Sequence, residues 1–132
     1  MELKELKPYF YCCIETNYYE SDIIRVGKNI AVAICYTFNI TLPSTETNEA
    51  PYIFSDTQID KINSQLSLFK FKQDSNGKIP IGQFLMLSNM DAFPYKLIGC
   101  NSIFQNGKSY TYYHFMLKVN PTNTENIKGI KI

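Results

Sequence analysis

Tryptophan is absent from this chain of 132 residues, histidine occurs once, and neither sign of charge prevails, with 13 basic against 12 acidic residues. A net charge of +1 spread along the chain sets up no long-range field to draw in phosphate backbones or anionic membranes, so strong non-specific nucleic-acid binding is not expected. Long apolar runs are missing as well. The richest segment, Ile30 to Leu42, is interrupted by Thr37, Asn39 and Thr41, and falls short of the ~18–20 apolar residues that cross a bilayer. Met1 to Pro8 alternates charge with leucine and lacks the apolar stretch and small-residue cleavage site of a secretion signal, so a cytoplasmic or virion setting, without a membrane partner, is expected. In that setting the acceptor-like triplet Asn39-Ile40-Thr41 carries no weight.

The residues that carry chemistry are equally sparse. Cys12 and Cys13 are adjacent and Cys35 and Cys100 stand far off, so no C-x-x-C pair offers a zinc or redox site, and buried thiols are the expectation. A lone His114 excludes two- and three-histidine metal centres, and no aspartate-rich loop suits a hard cation. The glycines form neither a dinucleotide fingerprint nor a phosphate-binding loop. No carboxylate pair is singled out by spacing as an acid and a base. The expectation is a non-enzyme with no catalytic, cofactor or metal-binding residues.

What is present is aromatic and β-prone: ten tyrosines and nine phenylalanines in a chain that is 45% hydrophobic and 19% charged, enough for one core. Tyr9 to Thr16 reads as a first strand. Ile23 to Val26 then leads through Gly27-Lys28-Asn29, a turn-forming triplet, into Ile30 to Leu42, where large apolar residues alternate with Ala31, Ala33, Cys35 and Thr37; this predicts a hairpin whose second arm is a long strand. Pro43 to Pro51 is a polar loop. Ser55-Asp56-Thr57-Gln58 is a capping box, and Ile59, Ile62, Leu66 and Phe69 continue at helical spacing, which predicts one helix ending near Leu68. Phe69 to Gln73 and Ile79 to Leu87, broken by Pro80 and Gly82, suggest an irregular or edge hairpin. Tyr95 to Phe104 and Ser109 to Val119 flank Asn106-Gly107, the signature of a type I′ turn. That turn sets Phe104 opposite Ser109, Cys100 opposite Tyr113, Gly99 opposite His114 and Ile98 opposite Phe115.

The expected fold is therefore mainly β, α+β at most: an antiparallel sandwich or small barrel of about six strands with one central helix. Residues 1–119 form the single domain and 120–132 a polar tail. The order of three strands, a helix and two further strands is similar to that of an OB-fold barrel, and Tyr110, Tyr112 and His114 along one strand face suit base stacking, but a basic groove is lacking. Tyrosine-rich surface without active-site chemistry points instead to a non-enzymatic structural or assembly subunit of a larger, oligomeric complex. The Asn-, Ile-, Lys-, Tyr- and Phe-heavy composition suggests a virus or phage particle. Candidate partner contacts are Tyr110, Tyr112 and His114, with Glu46 and Glu49 in the polar loop and Ile127 and Ile130 in the tail. The alternative is a small monomeric binding or inhibitor module for a host protein or single-stranded nucleic acid.

Overall fold

The structure is a computed structural model that describes residues 6–16, 23–43, 45 and 51–118. In chain order its elements are β1 (Tyr9–Thr16), β2 (Ile23–Arg25), α1 (Lys28–Phe38), α2 (Asp56–Asn63), β3 (Lys78–Pro80), α3 (Ile81–Ser88), β4 (Tyr95–Gln105) and β5 (Lys108–Leu117). β1, β5 and β4 form an antiparallel sheet in that order, and β2 pairs with β3 in a separate ribbon. The described residues thus build a strand-rich α+β arrangement rather than a closed barrel, so the OB-like order is not realised. The polar loop and the C-terminal tail expected at 120–132 fall largely or wholly outside the described residues.

The largest departure from the sequence reading is Ile30 to Leu42, which is not a strand. Lys28 to Phe38 is the helix α1, and Gly27, expected to turn a hairpin, is its N-cap. Ile30, Val32, Ile34 and Phe38 are buried, and so are Ala31, Ala33 and Cys35 on the intervening positions. A helix surrounded by core carries apolar residues on every side and so loses the 3.6-residue signature, leaving a large–small alternation that imitates a strand. Asn39 ends the helix in the left-handed conformation, φ 54°, from which its backbone N–H donates to the Cys35 carbonyl. The neighbouring carbonyls at that end are met from α2 and the turn that follows it: Gln65 Nε2 donates to Phe38 O at 3.0 Å and Lys61 Nζ of α2 to Asn39 O at 3.1 Å, a cation where the helix dipole favours one.

The capping box is realised in both directions, Ser55 Oγ accepting from Gln58 N and Gln58 Oε1 from Ser55 N. The helix stops at Asn63 instead of Leu68 because Asn63 turns back on the following loop. Its Oδ1 accepts from Phe71 N at 2.6 Å, and its Nδ2 donates to Phe71 O at 3.2 Å. Gln83 does the same for Lys72, at 2.9 and 3.1 Å, and Gln73 reaches Phe54 N and Tyr52 O at 2.8 and 2.7 Å. Phe69 to Gln73 thus belongs to no ladder, and at Phe71 and Lys72 side-chain amides satisfy the backbone groups that a neighbouring strand would. The expected edge hairpin at 79–87 is instead the short β3 followed by α3, with Pro80 as N-cap, a place where its missing N–H costs nothing.

The core lies between the inner side of the sheet and the helices. Phe10 of β1 stacks on Phe115 of β5 at 4.9 Å and meets Tyr95 of β4 edge-on at 4.5 Å, while Phe84 of α3 contacts both Phe115 and Phe93. The Tyr95 hydroxyl donates to Lys7 O at 2.6 Å, and burial pushes its ionisation well above the ordinary phenol range. The β4–β5 hairpin follows the expected register through Phe104–Ser109, Cys100–Tyr113 and Gly99–His114, with Asn106 and Gly107 at φ 53° and 76°. One pair differs. Ile98 is bulged out and Leu97, not Ile98, opposes Phe115, so Ile98 leaves the inner face.

Candidate functional site

Strand alternation divides the sheet sharply. Phe10, Cys12, Ile14, Tyr113 and Phe115 point inward, while Tyr9, Tyr11, Cys13, Tyr112, His114 and Met116 point away from the core. Tyr9 is 55% exposed and Tyr11 58%, and Met116 and the bulged Ile98 are exposed beside them. The three β5 residues singled out from sequence, Tyr110, Tyr112 and His114, lie on this outer face and are half-buried. Glu46, Glu49, Ile127 and Ile130 lie outside the described residues, so the expected docking loop and tail have no structural account here.

The face is ordered by its own contacts. The Tyr11 ring meets His114 edge-on at 4.8 Å and Tyr9 at 5.9 Å. His114 Nε2 lies 2.5 Å from Asn101 Oδ1, and since that oxygen can only accept, Nε2 carries the proton and the ring is held in one orientation. Tyr9, Tyr11, Ile98, His114 and Met116, with Phe115 at the floor, line a shallow apolar depression of about 260 Å³. Further along, Cys13 sits opposite Tyr112. The adjacent thiol, with smaller effects of desolvation and of Tyr110, raises the ionisation of the Tyr112 phenol above its ordinary value, so that phenol is neutral at neutral pH.

Tyr9, Tyr11, Asn101 and Met116 were not singled out from sequence. The signal was present locally, since Tyr9, Tyr11 and Cys13 alternate with Phe10, Cys12 and Ile14, but only the pairing of the first strand with the last places those tyrosines beside His114. A second apolar surface lies elsewhere, where the loop from Gln65 to Phe69 approaches Met86 and Met90 around a depression of about 290 Å³.

Neither surface has the marks of a reaction centre. Burial, with Cys13 adding to it, pushes Cys12 up to about 12, and burial alone takes Cys35 to about 12, which keeps both thiols protonated and inert. Cys100 pairs with Tyr113 on the inner side of the sheet while His114 faces out, so the two do not form a dyad. Among the described residues no group of three or more His, Cys, Asp or Glu side chains could hold a metal ion, and no helix is long and apolar enough to cross a membrane. A scan of protein-family models finds no match, and no curated protein or solved structure is significantly similar to the chain.

Proposed function

We propose that this protein is a non-enzymatic docking subunit of a larger protein assembly and that the outer face of its β1–β5–β4 sheet is the docking surface. The observation that carries this reading is the exposure of Tyr9, Tyr11, Ile98 and Met116 around the fixed His114 ring, on the side of the sheet that the core does not use. Tyrosine and methionine are the residue types enriched at protein interfaces, and rigid aromatic rings bury large area at small entropic cost. An apolar, neutral patch surrounded by polar surface is what a protein partner covers. A virus or phage particle, suggested by composition, belongs to the same proposal as its setting.

Single-stranded nucleic acid could stack on the same rings, but a strand-tracking groove needs a run of cations, and the described outer-face positions of the three strands carry only Lys96 and Lys108, at opposite ends of the β4–β5 ladder. The test is native purification from the source followed by light scattering with absorbance at two wavelengths. A stoichiometric protein partner that Tyr9→Ser/Tyr11→Ser releases, with thermal melting unchanged, supports the docking face. Retention of the partner by that variant, or a nucleic-acid absorbance that disappears with it, sinks the reading.

A further inference from the structure

β4 ends the sheet. Among the described residues it is paired with β5 on one side and with nothing on the other. Natural edge strands are blunted by lysine, proline or a bulge placed along the open side, because an unpaired row of N–H and C=O groups is a template for another chain. Here the devices stop early. From Leu97 to Gly107 the chain has no charged residue and no proline, and the bulge at Ile98 leaves the stretch from Gly99 to Gln105 regular. The hairpin also outruns the core: Phe104 is 77% exposed.

The hydrogen-bonding positions of that open edge follow from the turn. Asn106 and Gly107 form the two-residue loop, so Gln105 and Lys108 close it as a hydrogen-bonded pair, and the pairs alternate from there. Phe104, Ser102 and Cys100 consequently aim their backbone N–H and C=O groups away from β5, toward the open side. We infer that the β4 edge pairs with the β4 edge of a second copy of this chain, antiparallel about a two-fold axis at Ser102.

The geometry selects that occupant and that register. The regular stretch from Gly99 to Gln105 has Ser102 at its middle, so turning it on itself sets Ser102 opposite Ser102, Cys100 opposite Phe104 and Asn101 opposite Ile103. Residues that aim outward then meet residues that aim outward, and each such pair exchanges two hydrogen bonds. Phe104 gains a sulfur–aromatic neighbour in Cys100, an exposed thiol. No like charges meet: Lys96, the only charged residue of β4, falls beyond the end of the opposing strand. The seam is about 24 Å long at ~3.4 Å per residue, and with the exposed flanks of Phe104 and Ile103 it covers roughly 500 Å² per copy, below the ~800 Å² of a standard interface. The dimer is therefore reversible and concentration-dependent, and it joins the two sheets into one, with both aromatic faces on the same side.

This inference rests on the strand edge and not on the aromatic face, so the two fail separately. The mass of the purified full chain is measured by light scattering across a wide concentration series under reducing conditions. The wild type is expected to move from 15.3 kDa toward twice that mass. Ser102→Pro removes an N–H that points to the open side and leaves the β5 ladder intact, and Ser102→Lys sets two ammonium groups against each other at the two-fold axis. Each is expected to weaken dimerisation at least about tenfold, while Ser102→Val and Tyr11→Ser leave it unchanged. A single 15.3 kDa species at every concentration overturns the inference, and so does a dimer indifferent to both Ser102→Pro and Ser102→Lys, or one abolished by Tyr11→Ser.

Discussion

Replacement of Asn63 by alanine tests whether side-chain amides really take the place of a strand in this fold. Asn63 satisfies both backbone groups of Phe71, a residue with no exposed surface, through bonds of 2.6 and 3.2 Å. Loss of the acceptor strands a buried N–H, which costs about 1–3 kcal/mol, and loss of the donor adds about 1 kcal/mol. Alanine returns about half a kcal/mol in helix propensity at the end of α2, so the net expectation is about 2–3 kcal/mol. Gln83 makes the same two bonds to Lys72, at 2.9 and 3.1 Å, but there both backbone groups lie in an exposed setting where water substitutes for the amide. Gln83→Ala should therefore cost about 0.5 kcal/mol or less. Urea denaturation followed by circular dichroism separates the two, with a midpoint lower by about 1–2 M for Asn63→Ala and nearly unmoved for Gln83→Ala. Equal losses for both variants, within about 0.5 kcal/mol, would refute the argument that burial of the Phe71 amide is what gives the Asn63 bridge its value.

Two further outcomes follow from the same core. Gly77 has φ +75°, and a Cβ there would clash with Pro51 Cβ, whereas Gly107, at φ +76°, has open space around it. Gly77→Ala should destabilise by about 2–3 kcal/mol or more and Gly107→Ala by about 1 kcal/mol, measured by thermal melting, because the backbone strain is shared and the clash is not. Stability should also fall in alkali: Cys12 and Cys35 ionise near 9 when unfolded and at about 12 when folded, so above pH 9 the unfolded chain binds fewer protons and each thiol removes at most about 1.4 kcal/mol per pH unit. Tyr95, raised from its ordinary 10 by burial, adds to this above pH 10. Cys35→Ala should lower the slope between pH 9 and 10, read from urea midpoints; an unchanged slope would show that its thiol does not contribute.

Signals carried by a few adjacent residues were legible in the sequence. The Asn106-Gly107 turn specified its own φ values and hence the hairpin register, the Ser55 to Gln58 capping box specified where α2 begins, and Tyr9 to Thr16 is a strand with the bounds its composition suggests. Tyr110, Tyr112 and His114 were placed on one strand face, and they share it in the structure. The bulge at Ile98 was not read from the sequence, although Gly99 beside it is a residue type that in a strand often marks one.

Local chemistry determined the turns, the caps and the alternation within individual strands, since each depends on backbone dihedrals and hydrogen bonds spanning only a few residues. Tertiary structure decided the rest. Lys28 to Phe38 is a helix in which every position from Ile30 to Cys35 is buried, which erases the amphipathic period by which a sequence declares a helix. The aromatic face exists because β1 pairs with β5 across about a hundred residues, bringing Tyr9 and Tyr11 beside His114. The open edge at β4 exists because, among the described residues, the sheet ends there. Pairing order and enclosure depend on the simultaneous burial of residues far apart in the chain, and that sum is fixed only when the whole core is assembled.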